Sequence, residues 1–512
     1  MEREAPFDQG SACDSWQEGL ALLAAGSHHL TNFDADCAGQ AARRWFAIRF
    51  AQPMVTRMIK ISFILKSKPL HKTPPAQDAD PLPVPPERCS ARKVALVGFG
   101  TVGRAVAKIL CERRDEDGLV RLSHICNRNV ERKKQPWVPS EVIWTEDFHA
   151  ILNSDADIVL ELIGGITPAE ELVRGALSAG KSVVTANKQL IARHGTELLQ
   201  LASSNGCQLE FGASVAGGVP VLPALRTGLS GDRLHGMAGI LNGTCNYILS
   251  RIETARIPFS EALEEAQARG YAEADASEDL DGGDARAKLS ILALAGLQVH
   301  VSPGDIRART IRAIDAVDFD YAADLSCTIR QISRADLRSD SKDATLFADV
   351  GPSLVPTASP FGRVQRNLNL VLTSGKYGGD MAFLGAGAGG DPTAVAVVSD
   401  LMFVAESLAS GPRPRSPLRL ASPKVSCDFE TPWYLRLVVK DQPGIIAGIA
   451  AILSAHQLNI DAVLQKPGFD KNSLPFVITL EPCRDAQLHP ALQEISALPF
   501  ALRPCLCLPI LR

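Results

Sequence analysis

A buried-type strand that runs straight into three glycines spaced G-x-G-x-x-G leaves a chain few ways to fold. Here Lys93-Val-Ala-Leu-Val-Gly-Phe-Gly-Thr-Val-Gly103 is that junction, and Arg104–Cys111 continues with helical spacing. The first glycine, Gly98, permits a tight turn, Gly100 lets the backbone approach a pyrophosphate, and Gly103 lets the helix pack on the strand. Phe99, Thr101 and Val102 complete the turn. A second strand, Val120–Cys126, follows, then Asp157–Gly165, a helix over Pro168–Ala179, and Ser182-Val-Val-Thr-Ala-Asn-Lys188. Strands alternating with helices of this length imply an α/β, doubly wound parallel sheet of Rossmann type, with ligands at the strand C-termini.

The residues at those C-termini carry the chemistry. An Asp or Glu after the second strand suits the ribose hydroxyls of NAD, whereas Arg suits the 2′-phosphate of NADP. This chain has Asn127-Arg128-Asn129, with Arg132, Lys133 and Lys134 behind it. Arg128 therefore favours NADP(H), and Glu131 keeps NAD(H) open. Gly164, Gly165 and Thr167 lie at the next strand end, and Asn187 and Lys188 at the one after.

The densest cluster of ionisable groups is Gly270–Leu289, where Glu273, Asp275, Glu278, Asp279, Asp281 and Asp284 precede Lys288. From Asp284 the pattern is helical, and four-residue spacing puts Asp284 and Lys288 on one face. Asp279-x-Asp281-Gly282 mimics part of a calcium loop, but the twelfth position, which needs a bidentate Glu, falls on Lys288. A solvated acid loop is the plain alternative. The chemical one is a site that reads an ammonium group with carboxylates and delivers a proton from a lysine they keep charged.

This stretch resembles the signature of the homoserine dehydrogenase family, an acid-rich loop running into D-x-x-x-K-L. Ala186-Asn187-Lys188, Gly239-Ile-Leu-Asn-Gly-Thr-Cys-Asn-Tyr247 (Cys245 replacing the usual Thr) and Phe211-Gly-Ala-Ser-Val-Ala-Gly-Gly-Val-Pro220 extend the resemblance over about Arg92–Ala409. It implies that Lys288 donates a proton, that Lys188 lies near nicotinamide and substrate, and that Glu273, Asp279 and Asp284 hold the substrate. It also implies that the glycine run through Gly387 contacts the cofactor, alongside Gly98, Phe99, Gly100, Thr101, Val102, Gly103, Arg128, Gly164 and Thr167. Backbone carbonyls at Val215, Gly217 and Val219 match positions that bind a monovalent cation such as Na+ in the family. Relatives usually have Glu where this chain has Gly212, which puts that cation in doubt. The small-molecule substrate implied is aspartate semialdehyde or homoserine, handled by a homodimer or homotetramer.

After a Pro-, Arg- and Ser-rich linker, Trp433–Lys440, Asp441-Gln-Pro-Gly444, Ile445–His456, Leu458–Gln465 and Pro475–Leu480 read as strand, turn, helix, strand, strand. This order resembles the ferredoxin-like ACT domain, whose amino-acid effector would sit at Gly444, Asn459 and Ile460, threonine being the first candidate. A purely assembling role stays open. The linker makes the module look separable, so removal beyond Ser410 is expected to leave an active core.

The resulting division is 1–90 a disordered or non-native extension, 91–225 the nucleotide domain completed by about 362–409, and 226–361 an α+β substrate and dimerisation domain. Residues 410–430 are a linker, 431–500 the ACT domain and 501–512 a tail. The extension is too short for an additional kinase domain, and Met54 and Met58 are alternative starts. A net charge of −4 gives no footprint for nucleic acid. The 12 cysteines form no C-x-x-C, and the apolar run Ile59–Leu65 is too short to span a bilayer, so a reducing, cytoplasmic setting without membrane contact is expected. Two other classes stay open: another Rossmann-type dehydrogenase of amino-acid aldehydes or ketoacids, and an inert amino-acid sensor.

Overall fold

The computed structural model describes residues 91–113, 118–340, 343–410 and 420–511. The extension 1–90 and the middle of the linker, 411–419, lie outside the described residues.

Strands β1 (Arg92–Val97), β2 (Val120–Cys126), β3 (Ile143–Thr145), β4 (Ile158–Glu161), β5 (Ser182–Thr185) and β6 (Leu209–Glu210) form the first sheet. All neighbours pair in parallel, in the order β3-β2-β1-β4-β5-β6. That is the doubly wound order of dinucleotide-binding sheets, with its switch point between β1 and β4. Val94, Leu96, Ile158 and Leu160 are fully buried, as strands covered on both faces require. Gly98 sits at φ +104°, and a Cβ there would fall 2.5 Å from the Leu162 carbonyl oxygen, so no other residue fits this turn.

The second sheet comprises β7 (Leu234–Ile240), β8 (Arg307–Ala308), β9 (Cys327–Asp340), β10 (Asp343–Pro356), β11 (Leu368–Gly375), β12 (Gly379–Ala386) and β13 (Lys424–Ser426). Its path runs β12-β11-β7-β9-β10-β13, with β8 beside β10. Two expectations change here. The sequence pattern puts the return to the first domain at about residue 362, but β11 pairs antiparallel with both β12 and β7, so the hairpin stays in the second sheet. Only the helix Gly390–Ala409 goes back, packing Ala394, Val397, Leu401 and Val404 against Val94, Leu96, Val106 and Leu160. By length and composition it is the one helix, among the described residues, that could cross a membrane, but its buried face belongs to this core. The linker is also not featureless, because Lys424–Ser426 pairs in parallel with Thr345–Phe347.

The third sheet is antiparallel, β15-β16-β14-β17, built from β14 (Glu430–Val439), β15 (Ile460–Leu464), β16 (Leu474–Arg484) and β17 (Leu506–Pro509). With the helices Ile445–Ala455 and Asp485–Ser496 it is the ferredoxin-like βαββαβ layer. The presumed tail supplies its fourth strand, pairing Leu506–Pro509 with Trp433–Arg436. This module is not a loose appendage. Tyr434, Val477 and Leu508 share a core with Tyr321, Ile329 and Leu354 of the catalytic part. Tyr434 Oη donates to Asp318 Oδ1 at 2.9 Å, and Arg436 pairs with Asp315 (2.8 Å) and Asp318 (3.2 Å). Asp318 is fully buried, and burial pushes its carboxyl up to about 6 although Arg436 opposes the shift.

Candidate active site

Lys188 is the first residue of the helix Lys188–Ser204, and the turn that leads to it is held by buried polar groups. Glu161, fully buried at the end of β4, accepts the Thr185 hydroxyl at 2.6 Å and the backbone N–H groups of Ile163 (2.9 Å) and Gly164 (3.2 Å). Thr185 Oγ1 in turn accepts from Asn187 N at 2.9 Å. Asn187 caps the helix by accepting from Leu190 N and ties it to the neighbouring turn by donating to Gly165 O at 2.6 Å. This network fixes where the Lys188 side chain starts.

The acid loop forms a short turn of helix, Ser277–Leu280, then crosses Gly282 at φ +82° into the helix Gly283–Leu292. Asp284 lies in its first turn, where the free N–H groups and dipole favour a carboxylate. It is almost wholly buried and bridges two ammonium groups. Oδ1 pairs with Lys188 Nζ, arriving from the first domain, and Oδ2 pairs with Lys288 Nζ at 2.7 Å, one turn along its own helix. Burial alone would raise the Asp284 carboxyl, but Lys288 and Lys188 outweigh it and hold it well below the usual carboxylate range. Burial likewise works against the Lys188 ammonium, and Asp284 reverses that, leaving its pKa above the ordinary lysine value. Both groups are therefore charged at neutral pH.

A residue outside the expected site set organises these acids. Asn242, buried just after β7, donates from Nδ2 to both Asp279 Oδ1 (2.6 Å) and Asp284 Oδ2 (2.9 Å). Its Oδ1 caps the helix Gly243–Ala255 through Cys245 N at 2.8 Å. The preceding carbonyl, Leu241 O, accepts from Lys288 Nζ at 2.8 Å. The only sequence signal for Asn242 was its place in the Gly239–Tyr247 motif. Asp279 is half-buried, and burial raises its carboxyl while the Asn242 amide opposes the rise. Glu273 is exposed, and its charge acts on Lys188 without a direct contact to it. Cys245 is fully buried, its Sγ lies 3.1 Å from Asp279 O, and burial pushes the thiol well above its ordinary value. It is not a poised nucleophile.

The glycine turn can take a dinucleotide. Gly100 is exposed, with open space where a Cβ would lie, while Gly390, from the return segment, faces Thr101 so closely that a Cβ would sit 2.9 Å from its methyl. Phe99 does not face outward: its ring is buried against Trp137 and Trp144, and its N–H donates to Asn127 Oδ1 at 2.9 Å. Val102 is half-buried, Gly103 is packed on Gly98 O, and Thr101, Gly164 and Thr167 are exposed at the strand ends. Arg128 is exposed just beyond β2. At the hinge, Val215 and Val219 are buried and Gly217 sits at φ +40°, but the Val219 carbonyl already accepts from Val221 N at 2.8 Å. Among the described residues no cluster of His, Cys, Asp and Glu could hold a metal ion. In the third domain Gly444 starts the Ile445–Ala455 helix at φ +91°, and Asn459 donates to Glu481 Oε2 at 3.1 Å.

A parallel dinucleotide-binding sheet set against a carboxylate-bridged pair of lysines defines an NAD(P)-dependent oxidoreductase. Residues 98–212 match the model of the homoserine dehydrogenase NAD-binding domain, 220–402 that of homoserine dehydrogenase, and 433–500 that of the ACT domain. The chain is 36% identical over 418 residues to homoserine dehydrogenase of Bacillus subtilis, covering 80% of this chain and 95% of that one. It is 36% identical over 423 residues to the Pseudomonas aeruginosa enzyme, covering 79% and 95%. The solved homoserine dehydrogenase of Thiobacillus denitrificans superposes with a TM-score of 0.75 at 32% identity, covering 82% of this chain and 98% of that one. A hyperthermophilic archaeal homoserine dehydrogenase solved in complex with NADPH superposes at 0.53 and 25% identity, covering 64% and 100%. The chain belongs to the homoserine dehydrogenase family.

Proposed function

We propose that the chain reduces L-aspartate 4-semialdehyde to L-homoserine with NADPH, as a step of threonine, methionine and isoleucine synthesis. The observation that carries the roles is Asp284 bridging Lys188 and Lys288. Reducing an aldehyde requires a hydride at carbon and a proton at oxygen. NADPH, when bound, supplies the hydride. Lys288 donates the proton: of its three N–H bonds, one goes to Leu241 O and one to Asp284, leaving the third for the aldehyde oxygen. Lys188 adds a second positive charge where the alkoxide develops. Glu273 and Asp279 take the substrate's α-ammonium group and so fix the aldehyde's position.

Arg128 supports the NADP(H) preference, and Glu131, the rival ribose acceptor, is paired with Lys134 at 2.7 Å. A monovalent cation at Val215 and Gly217 belongs to the same reading, with Val219, whose carbonyl is already engaged, its weakest ligand. The ACT module senses an amino acid, threonine first, at Gly444, Asn459 and Ile460. The enzyme works as a cytoplasmic homodimer or homotetramer. Absorbance of NADPH followed on addition of aspartate semialdehyde, and its formation from NADP+ and homoserine, tests the assignment. Absence of turnover in both directions overturns it.

A further inference from the structure

Asn369 is buried (1% exposed) on β11. Its Nδ2 donates to Leu241 O at 2.9 Å, the same carbonyl that accepts from Lys288 Nζ at 2.8 Å. Leu241 lies just past the end of β7, so this carbonyl stands clear of the sheet ladder and has both lone pairs for these two donors. On its other side the Asn369 amide fills the place where residue 387 would carry a side chain, and a Cβ on Gly387 would overlap it. Gly387 O is itself 2.8 Å from where a Cβ on Gly217 of the hinge would lie, and Ala386 O accepts from Gly218 N at 3.2 Å. The amide is thus wedged between the anchor of one lysine and the glycine loop that enters the Gly390–Ala409 helix. Its Oδ1 is buried with no hydrogen-bond partner among the described residues, an arrangement that costs stability and so calls for a role that the amide nitrogen fills.

We propose that Asn369 is a positioning residue for Lys288, acting through the Leu241 carbonyl, and that its packing on Gly387 ties that position to the glycine loop. This rests on reading Lys288 as the proton donor. With the amide in place, the carbonyl holds one orientation and the ammonium has a fixed second anchor beside Asp284. Without it, the carbonyl can turn and the ammonium drifts along the Asp284 edge. Displacing a catalytic group by about 1 Å can cost on the order of 100-fold in rate.

The test uses the full chain with Asn369→Leu, and with Asn369→Asp as the variant of equal size that removes the donor. Turnover, KM for aspartate semialdehyde, the solvent deuterium isotope effect, NADPH affinity by fluorescence and Tm are measured for each. The expected result is a loss of kcat of about 10- to 100-fold. NADPH affinity and KM should stay within about twofold, and the solvent isotope effect should rise as proton transfer becomes limiting. A Leu variant that does not fold leaves the Asp variant to decide. Unchanged kcat, or a loss confined to KM or NADPH affinity with an unchanged isotope effect, reduces Asn369 to a packing residue. Lys288→Met, run alongside, separates the two ideas. Retained turnover there sinks the proton-donor reading itself, whereas an inactive Lys288→Met beside a fully active Asn369→Leu sinks only this proposal.

Discussion

The Asp400 carboxylate stands where a side chain on residue 212 would have to go. Gly212 N donates to Asp400 Oδ2 at 2.6 Å, and a Cβ on Gly212 would fall 2.6 Å from Oδ1. The glycine at the hinge is therefore matched by an acid reaching in from the Gly390–Ala409 helix. Burial pushes this carboxyl up to about 7, with the Glu210 charge adding to the rise and the Gly212 N–H and Arg226 opposing it. A carboxyl raised above its unfolded value contributes stability that is fully present below about pH 4 and is lost as pH climbs through about 7. Asp400→Asn should flatten the fall in Tm between pH 5 and pH 8 and make the protein relatively more stable at the upper end, by on the order of 2–4 kcal/mol. Calorimetry across that range checks it, and parallel curves for the two proteins would count against the assignment.

Removing the bridging carboxylate should hurt both stability and turnover. Asp284→Asn leaves Lys288 buried without its counter-charge, while Lys188, 39% exposed, can turn to solvent. A loss of about 3 kcal/mol is expected, the low end for a broken buried pair because one partner is partly solvated. Urea unfolding with an unchanged m-value measures it.

Lys288→Met should lower kcat by about 10²–10⁴-fold, the usual worth of a positioned proton donor. NADPH affinity should be unaffected, because Lys288 lies in the second domain and is held by Leu241 and Asp284. Turnover within a few-fold of the parent would sink the role.

Arg128→Glu should shift the ratio of kcat/KM from NADP towards NAD, since the new carboxylate repels a 2′-phosphate and can accept from a ribose hydroxyl. An unmoved ratio would transfer the contact to Arg132 or Lys133.

Truncation after Ser410 is now expected to yield insoluble or unfolded protein rather than an active core. It strips β13 from β10, uncovers the shared core around Tyr321 and Leu354, and leaves the fully buried Asp318 without Tyr434 and Arg436. A soluble, active fragment would mean these contacts are dispensable. Effector tests therefore belong to the full chain, where threonine inhibition of NADPH oxidation is the direct readout.

What the sequence made legible was local. The Gly98–Gly103 turn could be read because each glycine answers a constraint set within a few residues. Asp284 and Lys288 could be paired because both ride one helix. Lys188 against Asp284 could not, since that contact joins two domains and no spacing encodes it. Asn242 and Glu161 were missed for a related reason: a buried polar residue in an apolar run looks like noise until its partners are known. The β11–β12 hairpin was misassigned because strand pattern does not say which sheet a strand joins. β17 was missed because a four-residue apolar tail carries too little periodicity to read.

The return of the Gly390–Ala409 helix has a consequence for how the chain is made. Val94, Leu96, Ile158 and Leu160 are among the first residues of the described chain to leave the ribosome, yet one of the two helices that share their core comes only after β7–β12 of the second sheet. Until residues 394–405 arrive, that face of the nucleotide-binding sheet is covered only in part, by Val106, Ala107 and Leu110 of the helix Thr101–Glu112. Domains that close through such distant segments fold slowly and pass through sticky intermediates. The nucleotide half should therefore not mature ahead of the rest. Its assembly waits on the substrate half, and an isolated 91–225 fragment would behave as an aggregation-prone intermediate rather than as a small dinucleotide-binding protein.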